Sequence, residues 1–81
     1  MSNTTNPTTT ATDTYVYVKA QIIGDVFTYT AEATIDGETR TATARTRVDA
    51  EAMIGVEATC DYTEVFGGRY DGWYIARCAS I

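Results

Sequence analysis

The strongest constraint on the fold of this sequence is a two-residue alternation of apolar and polar side chains, interrupted by two pairs of turn residues. Residues 14–23 read TYVYVKAQII and residues 26–35 read VFTYTAEATI. Because side chains on a β-strand point alternately to opposite faces, this pattern predicts two half-buried strands. Residues 24–25 predict a two-residue turn of the Gly-X kind, and the Asp-Gly pair at 36–37 predicts a type I′ hairpin turn.

A third strand is predicted from the same pattern in residues 38–47, ETRTATARTR, where threonine alternates with alanine or arginine. Threonine occupies 16 of the 81 positions, and this β-branched residue favours strands. We expect Ala42 and Ala44 to face the core, where their small size allows a helix to approach closely. Three strands joined by tight turns form an antiparallel meander.

The hydrophobic period changes to that of a helix in residues 48–60, VDAEAMIGVEATC. Thr46 and Asp49 are both candidate N-caps for this helix. Gly55 falls inside it, where glycine costs about 1 kcal/mol relative to alanine. The predicted buried stripe consists of Ala52, Met53, Val56 and Cys60.

Two shorter apolar segments follow the helix. Residues 63–66 predict a short strand, and residues 73–79, WYIARCA, predict a last strand that is central in the sheet or covered on both faces. The predicted fold class is therefore α+β: an antiparallel four- to five-stranded sheet, in the order β-meander, helix, β, with one helix packed on one face. Water or a partner is expected to cover the opposite face, which carries Tyr15, Tyr17, Thr28 and Thr30.

The first 13 residues, MSNTTNPTTTATD, form a polar, low-complexity stretch that we interpret as a disordered leader before a single domain at 14–81. This stretch is unlike a secretory signal, and no apolar run reaches the roughly 18 residues of a membrane span. A cytoplasmic protein with two buried free thiols, Cys60 and Cys78, is thus the expectation, although a disulfide between them stays open.

Composition argues against several kinds of chemistry. The chain has no histidine and two cysteines, so it lacks an imidazole base and the ligands of a four-thiolate zinc site. No hydroxyl or thiol has a base partner, and no spacing selects a pair of carboxylates. We therefore expect no enzyme activity, metal or cofactor. The formal charge of −5 argues against direct contact with nucleic acid, which needs Lys and Arg.

Two candidate binding surfaces remain. The segment GGRYDGWY, residues 67–74, concentrates residue types that are enriched in interface hot spots. Its candidate contacts are Arg69, Tyr70, Asp71 and Trp73, although Trp73 could instead complete a thin core. The second surface is acidic, and its alternative role is ordinary solubility. Its candidate contacts are Asp36, Glu38, Glu51, Glu57, Asp61 and Glu64.

In size, acidity, polar leader and meander-plus-helix pattern, the chain resembles the phage-encoded anti-CRISPR proteins, in particular the small acidic inhibitors of type I surveillance complexes. The segments VDAEAMIGVEATC and GGRYDGWYIARC are similar to the helix–loop–strand ends of such proteins. The resemblance implies an inhibitor that binds the DNA-binding surface or a subunit junction of the complex. It carries no residue role over, and a charge of −5 is modest for a mimic of duplex DNA.

The resulting functional prediction is a non-enzymatic, protein-binding inhibitor from a phage or mobile element, acting in the cytoplasm of the bacterial host. Its partner would be a host protein or ribonucleoprotein complex with a basic nucleic-acid-binding surface, and neither nucleic acid itself nor a membrane is expected to bind. The protein would be a monomer or a homodimer. The alternative is a small phage virion or assembly protein that homo-oligomerises through the Tyr-Thr face of its sheet.

Overall fold

A computed structural model describes residues 14–80 as a strongly paired antiparallel sheet with one short helix. The predicted leader, residues 1–13, lies outside the described residues. The elements are β1 (Thr14–Ile23), β2 (Val26–Ile35), β3 (Glu38–Ala44), α1 (Arg47–Met53), β4 (Val56–Ala58), β5 (Thr63–Glu64) and β6 (Tyr74–Ser80).

The strands are ordered β3-β2-β1-β6-β4, and β5 lies beside β4 on the same side of β6. The predicted bounds of β1 and β2 are confirmed, and β6 has the predicted interior position, between β1 and the β4–β5 edge. The coarse α+β class is confirmed as well. The predicted strand number, four to five, is too low, because residues 14–80 form six strands and one of them, β4, lies in the segment predicted as helix.

Both hairpin turns of the meander place two consecutive residues at positive φ. Asp36 and Gly37 have φ of 54° and 81°, as the predicted type I′ turn requires. Gly24 and Asp25 have φ of 54° and 65°, so this turn has the same signature and is not the Gly-X turn that the sequence predicted. Type I′ turns match the right-handed strand twist, which explains why β1 and β2 stay paired as far as residues 23 and 26.

The predicted helix at 48–60 is wrong in its C-terminal half. Thr46 is the N-cap, and its Oγ1 accepts a hydrogen bond from the Asp49 backbone N–H at 3.1 Å. The helix ends at Met53, and Gly55 has φ of 81°, the left-handed conformation that closes a helix. Residues 56–58 then pair with β6 as a short strand. Their backbone forms hydrogen bonds with β6 that it could not form as part of a helix.

The core is thin and made of small side chains. It consists of Val16, Val18, Ala31, Ala33, Ile35, Ala50, Ile54, Val56, Ala76 and Cys78. Ala42 and Ala44 pack against it, as predicted, although both stay half-buried. The predicted helical stripe is corrected in three places: Met53 is 65% exposed, and Ala52 and Cys60 are exposed too. Within α1 and its C-cap the buried side chains are those of Ala50, Glu51 and Ile54, so Ala52 and Met53 face away from the sheet; Cys60 lies beyond Gly55, where the helical period no longer applies.

The sheet has two faces that differ in chemistry. The helix face carries the core residues and α1. The polar face carries the side chains of alternate residues, among them Tyr17 in β1, Glu32 in β2 and Thr41 in β3, which are aligned in one row. Of the described strands, β3 forms one open edge of the sheet, and β4 with β5 forms the other.

Candidate functional site

The loop that connects β5 to β6, residues 65–73, contains all but the last residue of the predicted binding segment at 67–74, and it folds over the polar face. The Val65 backbone N–H donates to the Trp73 carbonyl at 2.8 Å, which closes the base of the loop. Asp71 accepts a hydrogen bond from the Gly67 N–H at 2.7 Å through its Oδ1. Gly67, Gly68 and Gly72 all have positive φ, so glycine is needed for this path.

Three aromatic rings of this loop and of β1 form a cluster. The Tyr70 ring stacks on the Tyr17 ring with centroids 3.8 Å apart and planes 11° apart. Trp73 meets Tyr70 edge-on at 5.2 Å, and the Lys19 ammonium lies 5.0 Å from the Trp73 ring centroid. Such ring pairs contribute about 0.5–1.5 kcal/mol beyond their area burial. The loop is therefore held on the sheet by its own side chains.

Glu32 is the residue of this cluster that sequence reasoning missed. Its side chain is buried, and the Tyr70 hydroxyl donates to its Oε2. The Thr41 hydroxyl donates to Oε1 at 3.3 Å, and the Arg69 Nη2 atom lies 3.6 Å from Oε2. The hydrogen bond to Glu32 and burial raise the pKa of the Tyr70 phenol. A single acid in a strand of Thr and Ala was the available signal, but the alternation alone predicted a solvated side chain.

The structure thus places the four predicted contacts of this loop in different settings. Tyr70 and Trp73 are half-buried against the sheet, and Asp71 supports the loop backbone. Arg69 has a side chain that is 76% exposed and stacks loosely on Tyr70. The expectation that only water or a partner covers the polar face is corrected, because the chain's own loop covers its centre at Tyr17.

A second buried carboxylate, Glu51, lies on the helix face. Arg47 donates from Nη1 to Glu51 Oε1 at 3.0 Å, and the Tyr62 hydroxyl donates to Oε2. Burial and the hydrogen bond to Glu51 raise the pKa of Tyr62. Burial lowers the pKa of Arg47, but the charges of Tyr62 and Glu51 outweigh this effect and raise it. Glu51 was predicted as an exposed contact, and this prediction is wrong because the side chain is buried. Its hydrogen bond with Tyr62 holds that residue against α1.

The remaining predicted acids occupy two separate places. Asp36 and Glu38 lie at the β2–β3 turn, and Glu38 pairs with Arg40 Nε at 3.1 Å. The other three acids are exposed and follow the opposite edge of the sheet. Strands β2, β1 and β6 lie between the two groups. We call this second group the acidic edge, and it consists of Glu57, Asp61 and Glu64.

The acidic edge belongs to the most one-sided stretch of charge in the sequence. Residues 48–68 hold five acids and no lysine or arginine, so this stretch alone carries −5. The rest of the chain has six acids and six bases, which cancel. Within residues 14–80, the side chains of the acidic edge enter no ion pair, in contrast to Glu32 and Glu51. Three of these five acids follow the open β4–β5 edge, whereas Asp49 lies in α1 and Glu51 is buried beside Arg47.

Other kinds of site find little support among residues 14–80. No group of three His, Cys, Asp or Glu side chains could hold a metal ion there. Cys78 is buried, and burial together with the charge of Glu51 raises the pKa of its thiol. Cys60 is exposed and free, which corrects the prediction of two buried thiols. No helix in this range is long and apolar enough to cross a bilayer.

The comparisons with known proteins add no relative to this description. No family model matches the chain, and neither a curated protein nor a solved structure matches it. Functional inference therefore rests on the described side chains and their surroundings.

Proposed function

We propose that this protein is a non-enzymatic, protein-binding inhibitor whose acidic edge docks on a basic nucleic-acid-binding surface of a host CRISPR surveillance complex. The observation that carries the proposal is the row of three exposed carboxylates along one open sheet edge, none of which enters an ion pair within residues 14–80. Carboxylates that form no ion pair within residues 14–80 lose none from that part of the chain when they meet Lys or Arg on another protein.

The length of the acidic edge limits what it can imitate. Residues 57–64 span at most roughly 23 Å when extended. A DNA duplex of that length carries roughly 14 phosphate charges, against three carboxylates here. The edge therefore supports competition for a short stretch of the DNA path, and it does not support imitation of a whole duplex. This agrees with an inhibitor that blocks a local step of DNA docking.

The open backbone of β4 and β5 supports the same role. Unpaired N–H and C=O groups at a sheet edge invite pairing with another strand, and charged side chains are a common way to prevent pairing between identical copies. Glu57, Asp61 and Glu64 give this edge three negative charges, and Arg77 of β6, which lies beside Asp61 in the same surface pocket, offsets one of them. Copies of this chain repel one another at this edge, whereas a basic partner is attracted.

The test is binding to a purified type I surveillance complex in competition with fluorescent target DNA. The test variant removes two charges from the edge with Glu57→Gln and Glu64→Gln. The matched control removes two charges elsewhere with Asp25→Asn and Asp36→Asn, because asparagine tolerates the positive φ at both positions. We expect the test variant to bind about tenfold more weakly and with a smaller salt dependence, and the control to bind as the parent does.

The outcome that refutes the proposal is unchanged DNA binding by the complex at saturating protein. The alternative of a phage assembly protein has less support from the described residues, because the Tyr-Thr face through which it would associate is occupied at its centre by Tyr70. The non-enzymatic character of the chain stays a prediction.

A further inference from the structure

The helix face extends well beyond the helix that covers it. With only seven residues, α1 packs mainly on β2, β3 and β4 and covers the core residues. Toward the β1–β2 turn, the same face continues with apolar side chains that are exposed or half-buried. We call this region the uncovered apolar face, and it consists of Ala20, Ile22, Phe27, Tyr29 and Tyr74.

Register and exposure show that this region is continuous with the core. Val18, Ala20 and Ile22 follow one another on the helix face of β1. Val18 is 4% exposed, whereas Ile22, nearer the β1–β2 turn, is 68% exposed. Ile22 lies directly opposite Phe27 on β2, and the Phe27 ring lies 5.5 Å from the Tyr29 ring. Tyr74 flanks Val18 on β6 and is 46% exposed. A core-like surface thus stays in contact with water.

We propose that a second copy of this chain covers the uncovered apolar face, so that two sheets pack face to face in a two-fold symmetric dimer. Aromatic and large aliphatic side chains present roughly 150–250 Å² each, so the exposed fractions of Ile22, Phe27 and Tyr74 amount to roughly 250–420 Å², to which Ala20 and Tyr29 add. Two such patches bury roughly 800 Å² in total, which is the size of a weak interface. Sheets packed in this way lie about 10 Å apart.

Charge and sequence favour a second copy over other occupants. The five residues of the patch are uncharged, and Glu64, which lies opposite Tyr74 on β5, puts a carboxylate at its border; two copies therefore meet through neutral side chains with this charge at the rim. Residues 1–13 contain no large apolar side chain except Met1 and join β1 at the other end of the strand, so they are poor candidates for covering it. Asp25 at the tip of the adjacent turn disfavours insertion into a bilayer.

The experiment measures the mass of the full chain by sedimentation equilibrium from micromolar to near-millimolar concentration. We expect the parent protein to shift from 8.8 kDa toward twice that mass, and its melting temperature to rise with concentration. Ile22→Lys should weaken association at least tenfold. Met53→Lys is the matched control, since Met53 is 65% exposed but lies at the end of α1, away from the patch.

Each result decides the proposal. A parent protein that stays at 8.8 kDa throughout overturns it, and so does equal weakening by Met53→Lys. Sedimentation of a monomer with phosphatidylcholine vesicles would overturn it in favour of a lipid surface. The melting temperature of Ile22→Lys at high dilution shows whether the monomer still folds; if it does not, Phe27→Ser replaces it in the same assay. None of these readouts depends on the surveillance complex, so failure here leaves the proposed function intact.

Discussion

Tyr70 stacks on Tyr17 and at the same time donates its hydroxyl hydrogen to the buried carboxylate of Glu32. One side chain from a loop thereby satisfies a charge in the second strand and covers a ring in the first. The sequence separation between Tyr70 and Glu32 is 38 residues, so this contact forms only once the sheet has assembled. It makes the loop at 65–73 part of the folded domain.

The hydroxyl of Tyr70 should matter more for stability than the charge of Arg69. Tyr70→Phe removes a hydrogen bond to a buried carboxylate and should lower the free energy of unfolding by about 1.5–3 kcal/mol. Arg69→Ala removes a salt bridge whose arginine is exposed, which should cost less than about 1 kcal/mol. Urea unfolding of both variants gives the comparison.

Tyr15→Phe serves as the control for that comparison, because Tyr15 is exposed and its hydroxyl donates to no buried acid among the described residues. This variant should unfold at the same urea concentration as the parent. A larger loss for Arg69→Ala than for Tyr70→Phe would show that the ion pair, and not the hydroxyl, supports Glu32.

Stability should fall at alkaline pH because of Tyr62. Its pKa in the folded protein is raised by burial and by the hydrogen bond to Glu51, while the unfolded chain releases this proton near pH 10. Above that pH the unfolded state binds fewer protons, so the free energy of unfolding decreases as pH rises. The stabilisation is fully present below about pH 10 and is lost progressively above it.

The measurement is urea unfolding of the parent and of Tyr62→Phe from about pH 8 to about pH 11. Tyr62→Phe should be less stable by about 1.5–3 kcal/mol at the lower pH, because among residues 14–80 Glu51 then keeps only Arg47 as a side-chain partner. The difference between the two proteins should shrink as pH rises. A difference that stays constant would show that Tyr62 titrates alike in both states.

Gly55 should be sensitive to substitution for two separable reasons. Its φ is 81°, and a Cβ added there would lie 3.2 Å from Arg40 Nη1, the atom that donates to the Ile54 carbonyl. Gly37 has the same φ of 81° but open space around it. Gly37→Ala should therefore cost about 1 kcal/mol from the backbone alone, and Gly55→Ala should cost more because the guanidinium has to move. Thermal melts of both variants test this prediction. Equal decreases in melting temperature would contradict it.

The two thiols should differ sharply in reactivity. Cys60 is exposed, whereas Cys78 is buried with a raised pKa, and the thiolate is the reactive form. A chromogenic disulfide reagent at neutral pH should modify one thiol at least about tenfold faster than the other. Cys60→Ser should remove the fast phase only. Loss of the slow phase in that variant would assign the fast reaction to Cys78.

Some of the binding surface could be predicted from residue types, but not the role of each residue. Sequence reasoning selected Tyr70, Trp73 and the acids, and the structure shows that Glu51 and Tyr70 are partly committed to internal contacts. Glu32 was not selected, because whether a strand residue on the polar face is solvated depends on a loop that folds over it from a distant part of the chain. The same limit applies to Cys60, whose exposure follows from the path of the chain after Gly55.

The sequence by itself determined the meander. Alternation over ten residues and two-residue turns are local properties, so the bounds of β1 and β2 and the positive φ at residues 36–37 could be deduced before any tertiary contact was known. Tertiary structure alone decided the end of α1 and the formation of β4. The short segment Val56–Ala58, with Glu57 between two apolar residues, is compatible with helix or strand, and pairing with β6, together with the left-handed Gly55, selected the strand. The burial of the Glu32 and Glu51 carboxylates was also decided by tertiary structure, because a charge can be buried only where distant groups supply its hydrogen bonds.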